Sequence, residues 1–147
     1  MIRRAALSDV PELAKLRDAL WPDSVAAHAA ELRELLGDVP PRPYPYAVLV
    51  ADLPPLIGFA EVTLRSYADG CDASRPAGYL EGWYVAEPHR RQGLGAELMR
   101  AAEDWARAQG CTEMASDTWL DNDVSQRAHE TLGYEVVDRV VTYRKAL

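Results

Sequence analysis

The chain has 147 residues, of which 48% are hydrophobic and 27% charged, and its formal net charge is −7. These values are ordinary for one compact globular domain and favour neither a disordered nor a fibrous protein. The acidity argues against nonspecific binding to nucleic acid or anionic membranes. A cationic partner is favoured, although moderate acidity also keeps small proteins soluble.

No apolar run approaches the ~18 residues of a membrane span, and the first residues lack the apolar centre of a secretory signal. We therefore expect a single domain over residues 1–147, without a membrane partner, in the cytoplasm.

The stretch SDVPELAKLRDALWPD predicts an amphipathic helix near the N-terminus. Asp9 is its expected cap, with Pro11 in the first turn, Glu12 three residues after the cap, and Pro22 at the end. The predicted buried positions recur at helical spacing: Leu13, Leu16 and Leu20.

A second helix is predicted to begin near Asp23 or Ser24 and to stop at Gly37, followed by the proline-rich loop VPPRPYP. Its apolar face carries Leu32, Leu35 and Leu36.

The segment YAVLVADLPPLIGFAEVTLRSY predicts a β-hairpin with a turn at residues 52–55, because β-branched and aromatic residues fill both arms. A long polar loop, SYADGCDASRPAG, separates this hairpin from a strand at residues 79–85. Loops of that length inside compact domains are often functional.

A third helix is predicted after Gly95 and closes at Gly110, with Leu94, Leu98, Ala102 and Trp105 on its buried side. A strand in CTEMASD follows, then a short helix capped by Asp121 or Asn122 and ended by Gly133, and a final strand in EVVDRVVTYRK. The two late strand-then-helix units predict an α/β fold whose mixed sheet has parallel neighbours in its second half.

Positive charge and glycine are concentrated in RRQGLG, immediately before the third helix. A glycine-rich helix start exposes unpaired backbone N–H groups, and the helix dipole acts with Arg90 and Arg91 to favour an anion such as phosphate. The segment lacks the lysine and serine or threonine of a nucleotide-triphosphate loop and does not have dinucleotide spacing, so it must suit another anion.

Residues 90–95, preceded by LEGWYV, resemble the acetyl-coenzyme A motif Gln/Arg-x-x-Gly-x-Gly/Ala of the GCN5-related N-acetyltransferases (GNAT). The resemblance covers essentially the whole chain and implies the GNAT fold, a mixed twisted sheet with a central V-shaped splay flanked by helices. It also implies that the diphosphate of acetyl-CoA binds the backbone amides, and that the pantetheine arm runs beside the splayed strand. The cofactor-binding residues implied are Tyr84, Val85, Arg90, Arg91, Gln92, Gly93, Leu94, Gly95 and Asn122.

Six segments, LWPD, GCDAS, LEGWYV, GCTEMASDT, SQRAHETLGY and TYRK, together resemble the aminoglycoside 6'-N-acetyltransferases of that superfamily, which are antibiotic resistance enzymes. Aminoglycosides are polycationic sugars, so their receptor should present carboxylates and aromatic faces around a cleft. The candidate substrate-binding residues are Trp21, Tyr67, Asp69, Asp72, Glu81, Asp117 and Glu135.

Acetyl transfer to an amine needs a base, a polarised thioester carbonyl and a proton for the departing thiolate, without a covalent enzyme intermediate. We expect Asp117 and Glu81 to bind the ammonium and take its proton, Glu81 through water, because carboxylates in apolar strands suggest a cleft edge. The family implies an amide near Val85 for the carbonyl. Where the family often has a tyrosine acid this chain has His129, so His129, Tyr134 or solvent is expected to protonate the thiolate.

Two thiols, Cys71 and Cys111, are too few for a disulfide framework and have no metal-ligand spacing with His28, His89 or His129, so free thiols and no metal are expected. Two alternatives stay open: a GNAT enzyme for a polyamine, protein lysine or N-terminal amine, and a noncatalytic coenzyme A-binding module. A homodimer is expected, because relatives often pair and the C-terminal segment is β-branched and apolar.

Overall fold

The computed structural model describes residues 1–147 and contains one five-stranded sheet in the order β1-β2-β3-β4-β5. The first four strands are antiparallel neighbours, and β4 and β5 are parallel, so the predicted mixed α/β sheet is confirmed. The edge strand β1 was not predicted from the sequence, because three residues are too short to show a period. The strands are β1 (Ile2–Arg4), β2 (Tyr46–Ala51), β3 (Gly58–Arg65), β4 (Ala77–Val85) and β5 (Met114–Ser116).

All four predicted helices are present, and their bounds agree with the predicted ones to within about two residues. Ser24 caps the second helix by accepting a hydrogen bond from the Ala27 N–H at 2.9 Å, and Asn122 caps the fourth by accepting one from Ser125 at 3.0 Å. None of the helices is both long enough and apolar enough to cross a membrane. The helices are α1 (Val10–Leu20), α2 (Val25–Gly37), α3 (Leu94–Ala108) and α4 (Asp123–Thr131).

The start of α1 differs from the predicted cap. Asp9 precedes the helix but makes no side-chain cap; its carboxylate accepts the Ala6 N–H at 2.7 Å and forms an ion pair with Arg3 at 2.7 Å. Glu12 does not reach back to the cap either, since its carboxylate accepts the Leu56 N–H at 2.7 Å. Both acids therefore bind residues outside α1 instead of closing its first turn.

Side chains of the sheet alternate between two apolar layers, as the pleat of a strand requires. The helices α1 and α2 cover one face, which we call the α1/α2 face, and α3 covers the other. On the α1/α2 face the fully buried sheet residues include Val48, Val50 and Phe59; on the α3 face they include Ala60, Val62 and Leu80.

A β-bulge interrupts β4 at the point where the sheet opens. Glu61 pairs with Gly82 but the next residue, Val62, pairs with Leu80, so Glu81 is an extra residue without a partner on β3. Pairing between β4 and β5 ends at Leu80, and the last five residues of β4 have no neighbour on that side. This is the V-shaped splay that the family resemblance implied.

The predicted final strand in EVVDRVVTYRK is wrong. Residues 134–147 contain no strand, and the segment after Tyr134 is exposed throughout. The segment contacts the loop between β3 and β4 through Val137, since a Cβ atom added at Gly70 in that loop would lie 2.6 Å from the Val137 side chain. An apolar, β-branched pattern favours a strand only where a partner strand is available, and this chain supplies none for residues 135–147, which we call the C-terminal arm.

Candidate active site

The loop before α3 has the backbone geometry of an anion-binding site. Arg91 has φ 62° and Gly93 has φ 86°, and Gly93 forms the N-cap of the helix. The first helical hydrogen bond in this region runs from the Glu97 N–H to the Gly93 carbonyl, and the N–H groups of residues 91–96 have no acceptor in the backbone or a side chain. A cluster of free amides at a helix N-terminus binds a diphosphate well.

Trp83 fastens this loop to β4. Its indole N–H donates to the Gly95 carbonyl at 2.9 Å, and a Cβ atom at residue 95 would lie 3.3 Å from the indole ring. Glycine at this position therefore lets the first turn of α3 rest against the strand. The contact sets residues 91–96, which we call the amide loop, beside the open end of the splay.

The end of β4 presents backbone groups to the splay. The Ala86 N–H donates to the carbonyl of Ile57, the residue just before β3, at 2.8 Å. Because N–H directions alternate along a strand, the Val85 N–H faces the opposite, unpaired side. An amide in that position can polarise a carbonyl group.

The predicted phosphate-binding side chains are partly engaged elsewhere. The Arg90 Nε donates to the Val85 carbonyl at 2.8 Å, and its guanidinium lies 5.5 Å from the centre of the Tyr84 ring. Arg90 is thus folded over the end of β4, while Arg91 and Gln92 are exposed on the loop. The free amides and the helix end, together with Arg91, provide the attraction for an anion.

The two predicted carboxylates are brought into one cluster on the α1/α2 face. Arg65 donates to both oxygens of Glu81, at 3.0 and 2.7 Å, and its guanidinium lies 3.5 Å from the centre of the Tyr79 ring. The Tyr79 hydroxyl donates to Asp117 at 2.6 Å. Burial raises the pKa of Tyr79, with Asp117 adding to the effect, so the phenol remains a donor at neutral pH.

A polar cavity of about 350 Å³ lies between α1, α2 and the sheet, with Trp21 and Glu81 in its wall. Buried charges also line it: Arg17 Nε lies 2.6 Å from Glu61 Oε1, and Tyr46 donates to the same carboxylate. Burial raises the pKa of Glu61, opposed mainly by the attraction of Arg17. The remaining lining residues are Glu31, Leu35, Arg42 and Thr63.

The polar loop between β3 and β4 carries the other predicted acids, both exposed. Tyr67 donates to Asp69 at 3.0 Å. Asp72 accepts from the backbone and hydroxyl of Ser74 at 2.9 and 2.7 Å, an arrangement that lowers the pKa of Asp72. Asp72 is therefore engaged in a local turn, whereas Asp69 has only the exposed Tyr67 as a partner.

Both candidate acids for the thiolate are held by other groups. The His129 Nδ1 lies 2.7 Å from the Ser125 carbonyl and must donate to it, so in the neutral ring Nε2 accepts from the Ser116 hydroxyl at 2.8 Å. The Tyr134 hydroxyl donates to Glu103 on α3 at 2.9 Å, and burial raises the pKa of Tyr134.

Two predicted site residues lie away from the carboxylate cluster. Glu135 is exposed at the start of the C-terminal arm and has no hydrogen bond or ion pair. Asn122 caps α4 through its side-chain oxygen, which leaves its amide nitrogen free.

Cys71 and Cys111 are free thiols, and no group of three or more histidine, cysteine or acidic side chains is arranged as a metal site.

Sequence reasoning missed Arg65, Tyr79 and the buried pair Arg17 and Glu61. For Arg65 one signal was available. Alternation along β3 places Arg65 on the same face as Thr63, which lines the polar cavity. The bulge at Glu81 has no clear sequence signal.

The chain belongs to the acetyltransferase (GNAT) family, whose model matches residues 13–134. It is 41% identical to the aminoglycoside N(6')-acetyltransferase type 1 of Klebsiella aerogenes over 148 aligned residues, covering 100% of this chain and 97% of the relative. It is 47% identical to the enzyme of the same name from Serratia marcescens, covering 90% of this chain and 89% of that one. Both resemblances found in the sequence, to the family and to this subgroup, are confirmed.

Solved structures agree over the full length. The aminoglycoside 6'-N-acetyltransferase AAC(6')-Ig from Acinetobacter haemolyticus matches with a TM-score of 0.87 at 37% identity, covering 100% of this chain and 99% of that one. AAC(6')-Iy, in complex with the bisubstrate analogue CoA-S-monomethyl-acetylneamine, matches with a TM-score of 0.86 at 36% identity, covering 100% of this chain and 98% of that one. The predicted fold is therefore confirmed.

Proposed function

We propose that this protein transfers the acetyl group of acetyl-CoA directly to the 6'-amine of aminoglycosides and so inactivates these antibiotics. The observation that carries the proposal is the placement of both parts of the site on β4. Glu81 lies at the bulge, and Val85 ends the strand just before the free amides of residues 91–96. The relatives of this chain are named for this reaction, and one of them was solved with the bisubstrate analogue CoA-S-monomethyl-acetylneamine.

The residues before α3 fit the diphosphate of acetyl-CoA. The amides of residues 91–96 are free to donate, and a Cβ atom added at Gly93 would meet no protein atom within 4 Å, so the space above the loop is open. The Val85 N–H faces the splay and is placed to polarise a thioester carbonyl there. When bound, acetyl-CoA supplies the activated acetyl group.

The carboxylates prepare the acceptor amine. A primary ammonium is mostly protonated near pH 7, so a base must remove a proton before the amine can attack. Asp117 and Glu81 are the bases that we propose, with Glu81 acting through water. Trp21 and Tyr67 would offer aromatic faces to the sugar rings, and Asp69, Asp72 and Glu135 would attract the remaining ammonium groups.

This arrangement favours solvent as the source of the proton that the departing thiolate takes up. His129 and Tyr134 have polar hydrogens already donated to Ser125 and Glu103, so either would have to break a hydrogen bond to serve as the acid. Replacing His129 with alanine tests its role, since retention of full turnover would remove His129 from the mechanism.

The test of the function is a comparison of acceptors. We expect acetyl-CoA-dependent acetylation of kanamycin at the 6' position, with much lower kcat/KM for spermidine and a lysine peptide, measured by thiol release and mass spectrometry. Asp117→Asn and Glu81→Gln should each lower kcat, and unchanged rates in both would reject the assigned bases. Coenzyme binding without transfer to any amine would support a noncatalytic module instead.

We also propose that the protein is a homodimer that pairs through the C-terminal arm. The arm has no strand partner in its own chain, and β5 is an edge strand with one side unpaired. Burying the exposed apolar side chains of the arm against a second copy would stabilise the pair. These side chains are Val136, Val137, Val140, Val141 and Tyr143.

Analytical ultracentrifugation should give twice the chain mass, and Val136→Asp with Val140→Asp should give a folded monomer. A monomeric wild type at micromolar concentration would reject the dimer. The cytoplasmic location and the single domain remain predictions.

A further inference from the structure

Arg65 connects the two carboxylates of the site, although sequence reasoning did not select it. It projects from the last residue of β3, binds both oxygens of Glu81, and lies flat on Tyr79, which in turn donates to Asp117. Four side chains from β3, β4 and the end of β5 thus form one connected row, in which each contacts the next: Glu81, Arg65, Tyr79 and Asp117.

This arrangement is unusual for a site that receives a polycation. An arginine beside two carboxylates reduces the net negative charge of the row from two to one, and it would repel an approaching ammonium group. The Arg65 side chain is 43% exposed and that of Glu81 is 27% exposed, so the pair lies where a solvated acceptor can reach it.

The bidentate geometry also orients its partners. A planar guanidinium with two parallel hydrogen bonds holds a carboxylate in one orientation, which a lysine cannot reproduce. The same guanidinium stacks on Tyr79 and fixes the ring whose hydroxyl reaches Asp117.

We propose that Arg65 is a positioning and specificity-determining residue for the acceptor amine: it orients Glu81 and, through Tyr79, Asp117, while its charge competes with acceptor ammonium groups for Glu81. This inference rests on the proposed function for the identity of the acceptor. Arg65 therefore makes the affinity for the acceptor weaker than two free carboxylates would give, and it makes turnover faster.

The decisive experiment separates KM from kcat in Arg65→Gln and Arg65→Lys, with aminoglycosides that share a 6'-amine and differ in their total number of amino groups. Arg65→Gln removes a cation near each bound ammonium, so KM should fall by about three- to fivefold at low ionic strength, most for the acceptor with most amines. Its kcat should fall by roughly tenfold, because both carboxylates lose their orientation.

Arg65→Lys keeps the charge and loses the planar fork. Its KM should stay near the wild-type value, with kcat between those of the wild type and Arg65→Gln. The difference in KM should shrink at high salt, because screening weakens exposed charges. Arg107→Gln is the control, since Arg107 is likewise an exposed arginine in ion pairs, here with Glu103 and Asp104, but it lies on α3, and the kinetics of this variant should be unchanged.

The outcomes distinguish this inference from the proposed function. Wild-type acetylation of aminoglycosides with unchanged or higher KM in Arg65→Gln would overturn the inference alone. If the wild type acetylates no aminoglycoside, calorimetry with spermidine decides: tighter binding to Arg65→Gln supports competition for Glu81, and equal or absent binding overturns the inference too. Calorimetry with coenzyme A should give equal affinity for all variants and checks that they are folded.

Discussion

The indole ring of Trp21 packs directly on the backbone of Gly82, so closely that a Cβ atom at residue 82 would lie 2.4 Å from the ring. This contact joins the end of α1 to β4 next to Glu81. The ring also lies edge-on to Phe59 at 6.1 Å and beneath the Arg17 guanidinium at 5.3 Å. Trp21 therefore has little room to move, and its position depends on glycine in the strand.

We expect Gly82→Ala to displace the indole and to lower the free energy of unfolding by about 1–3 kcal/mol, the usual cost of overpacking. Aminoglycoside affinity should fall while coenzyme A affinity stays unchanged, as measured by denaturant unfolding and calorimetry. Gly37→Ala is the control, because no atom lies within 4 Å of the added methyl group.

In a Trp21→Phe background the smaller ring should reduce the cost of Gly82→Ala, which a double-mutant cycle would detect as nonadditivity. Strictly additive effects would show that the contact with Trp21 does not determine the need for glycine.

Tyr79→Phe should keep the ring beneath Arg65 and remove only the hydrogen bond to Asp117. A hydrogen bond to a charged group contributes about 1.5–3 kcal/mol, so a loss of kcat of about tenfold or more is expected if Asp117 acts as the base. Steady-state kinetics at saturating acetyl-CoA provide the measurement. Tyr44→Phe is the matched control, because its hydroxyl has no hydrogen-bond partner, and an equal loss in both variants would contradict the role of Tyr79.

Gly93 and Gly110 form a natural matched pair at the two ends of α3. Both have positive φ, 86° and 89°, and an added Cβ atom would meet nothing within 4 Å at either position. Alanine should therefore cost about 1–2 kcal/mol of stability in each. Only Gly93→Ala should weaken coenzyme A binding, because its methyl group projects from the amide loop, and equal coenzyme A affinity in the two variants would place the diphosphate elsewhere.

Local patterns were sufficient to predict the helices and the amide loop, because a helix start, a glycine turn and a 3.6-residue period are all encoded within a few residues. The C-terminal arm shows where this reasoning fails. Its valines have strand character, but a strand exists only when another strand pairs with it, and the chain provides no partner for residues 135–147.

The carboxylate cluster was only half predictable for a related reason. Glu81 and Asp117 stand out as acids in apolar strands, but their connection through Arg65 and Tyr79 depends on the register between β3 and β4. A single bulge shifts a side chain to the other face of a sheet, and the sequence around Glu81 does not reveal that shift.

Glu61 and Glu31 bind the same arginine in very different surroundings. Glu61 Oε1 lies 2.6 Å from Arg17 at 2% side-chain exposure, whereas Glu31 lies 2.8 Å away at 54% exposure. Glu61→Gln should lower the free energy of unfolding by about 3–5 kcal/mol, because it leaves the buried Arg17 with only the exposed Glu31 as a charged partner. Glu31→Gln should cost less than about 1 kcal/mol, since solvent screens that pair.

Urea denaturation at pH 7 would measure both effects. The double variant Arg17→Met with Glu61→Leu should be more stable than Glu61→Gln, because it removes both buried charges together. Similar losses in Glu61→Gln and Glu31→Gln would show that burial of the pair does not determine its contribution.

Asp9 gives the chain a stabilising contribution that depends on pH. The hydrogen bonds from Arg3 lower the pKa of Asp9, the Ala6 N–H adds to this effect, and partial burial opposes it. A carboxyl group whose pKa is lower in the folded state stabilises the protein fully above its unfolded pKa, about 3.9 for aspartate. That stability is lost as pH falls through the lower folded value.

Asp9→Asn should therefore cost on the order of 1 kcal/mol at pH 7, or roughly 3 °C in Tm, because asparagine can still accept from Ala6 but loses the charge. The difference in Tm between wild type and Asp9→Asn should stay constant from pH 7 to about 5 and shrink below about 4. Asp52→Asn, which removes the more exposed partner of Arg3, should have a smaller effect. A difference that grows on acidification would have the wrong sign for a lowered pKa and would reject this assignment.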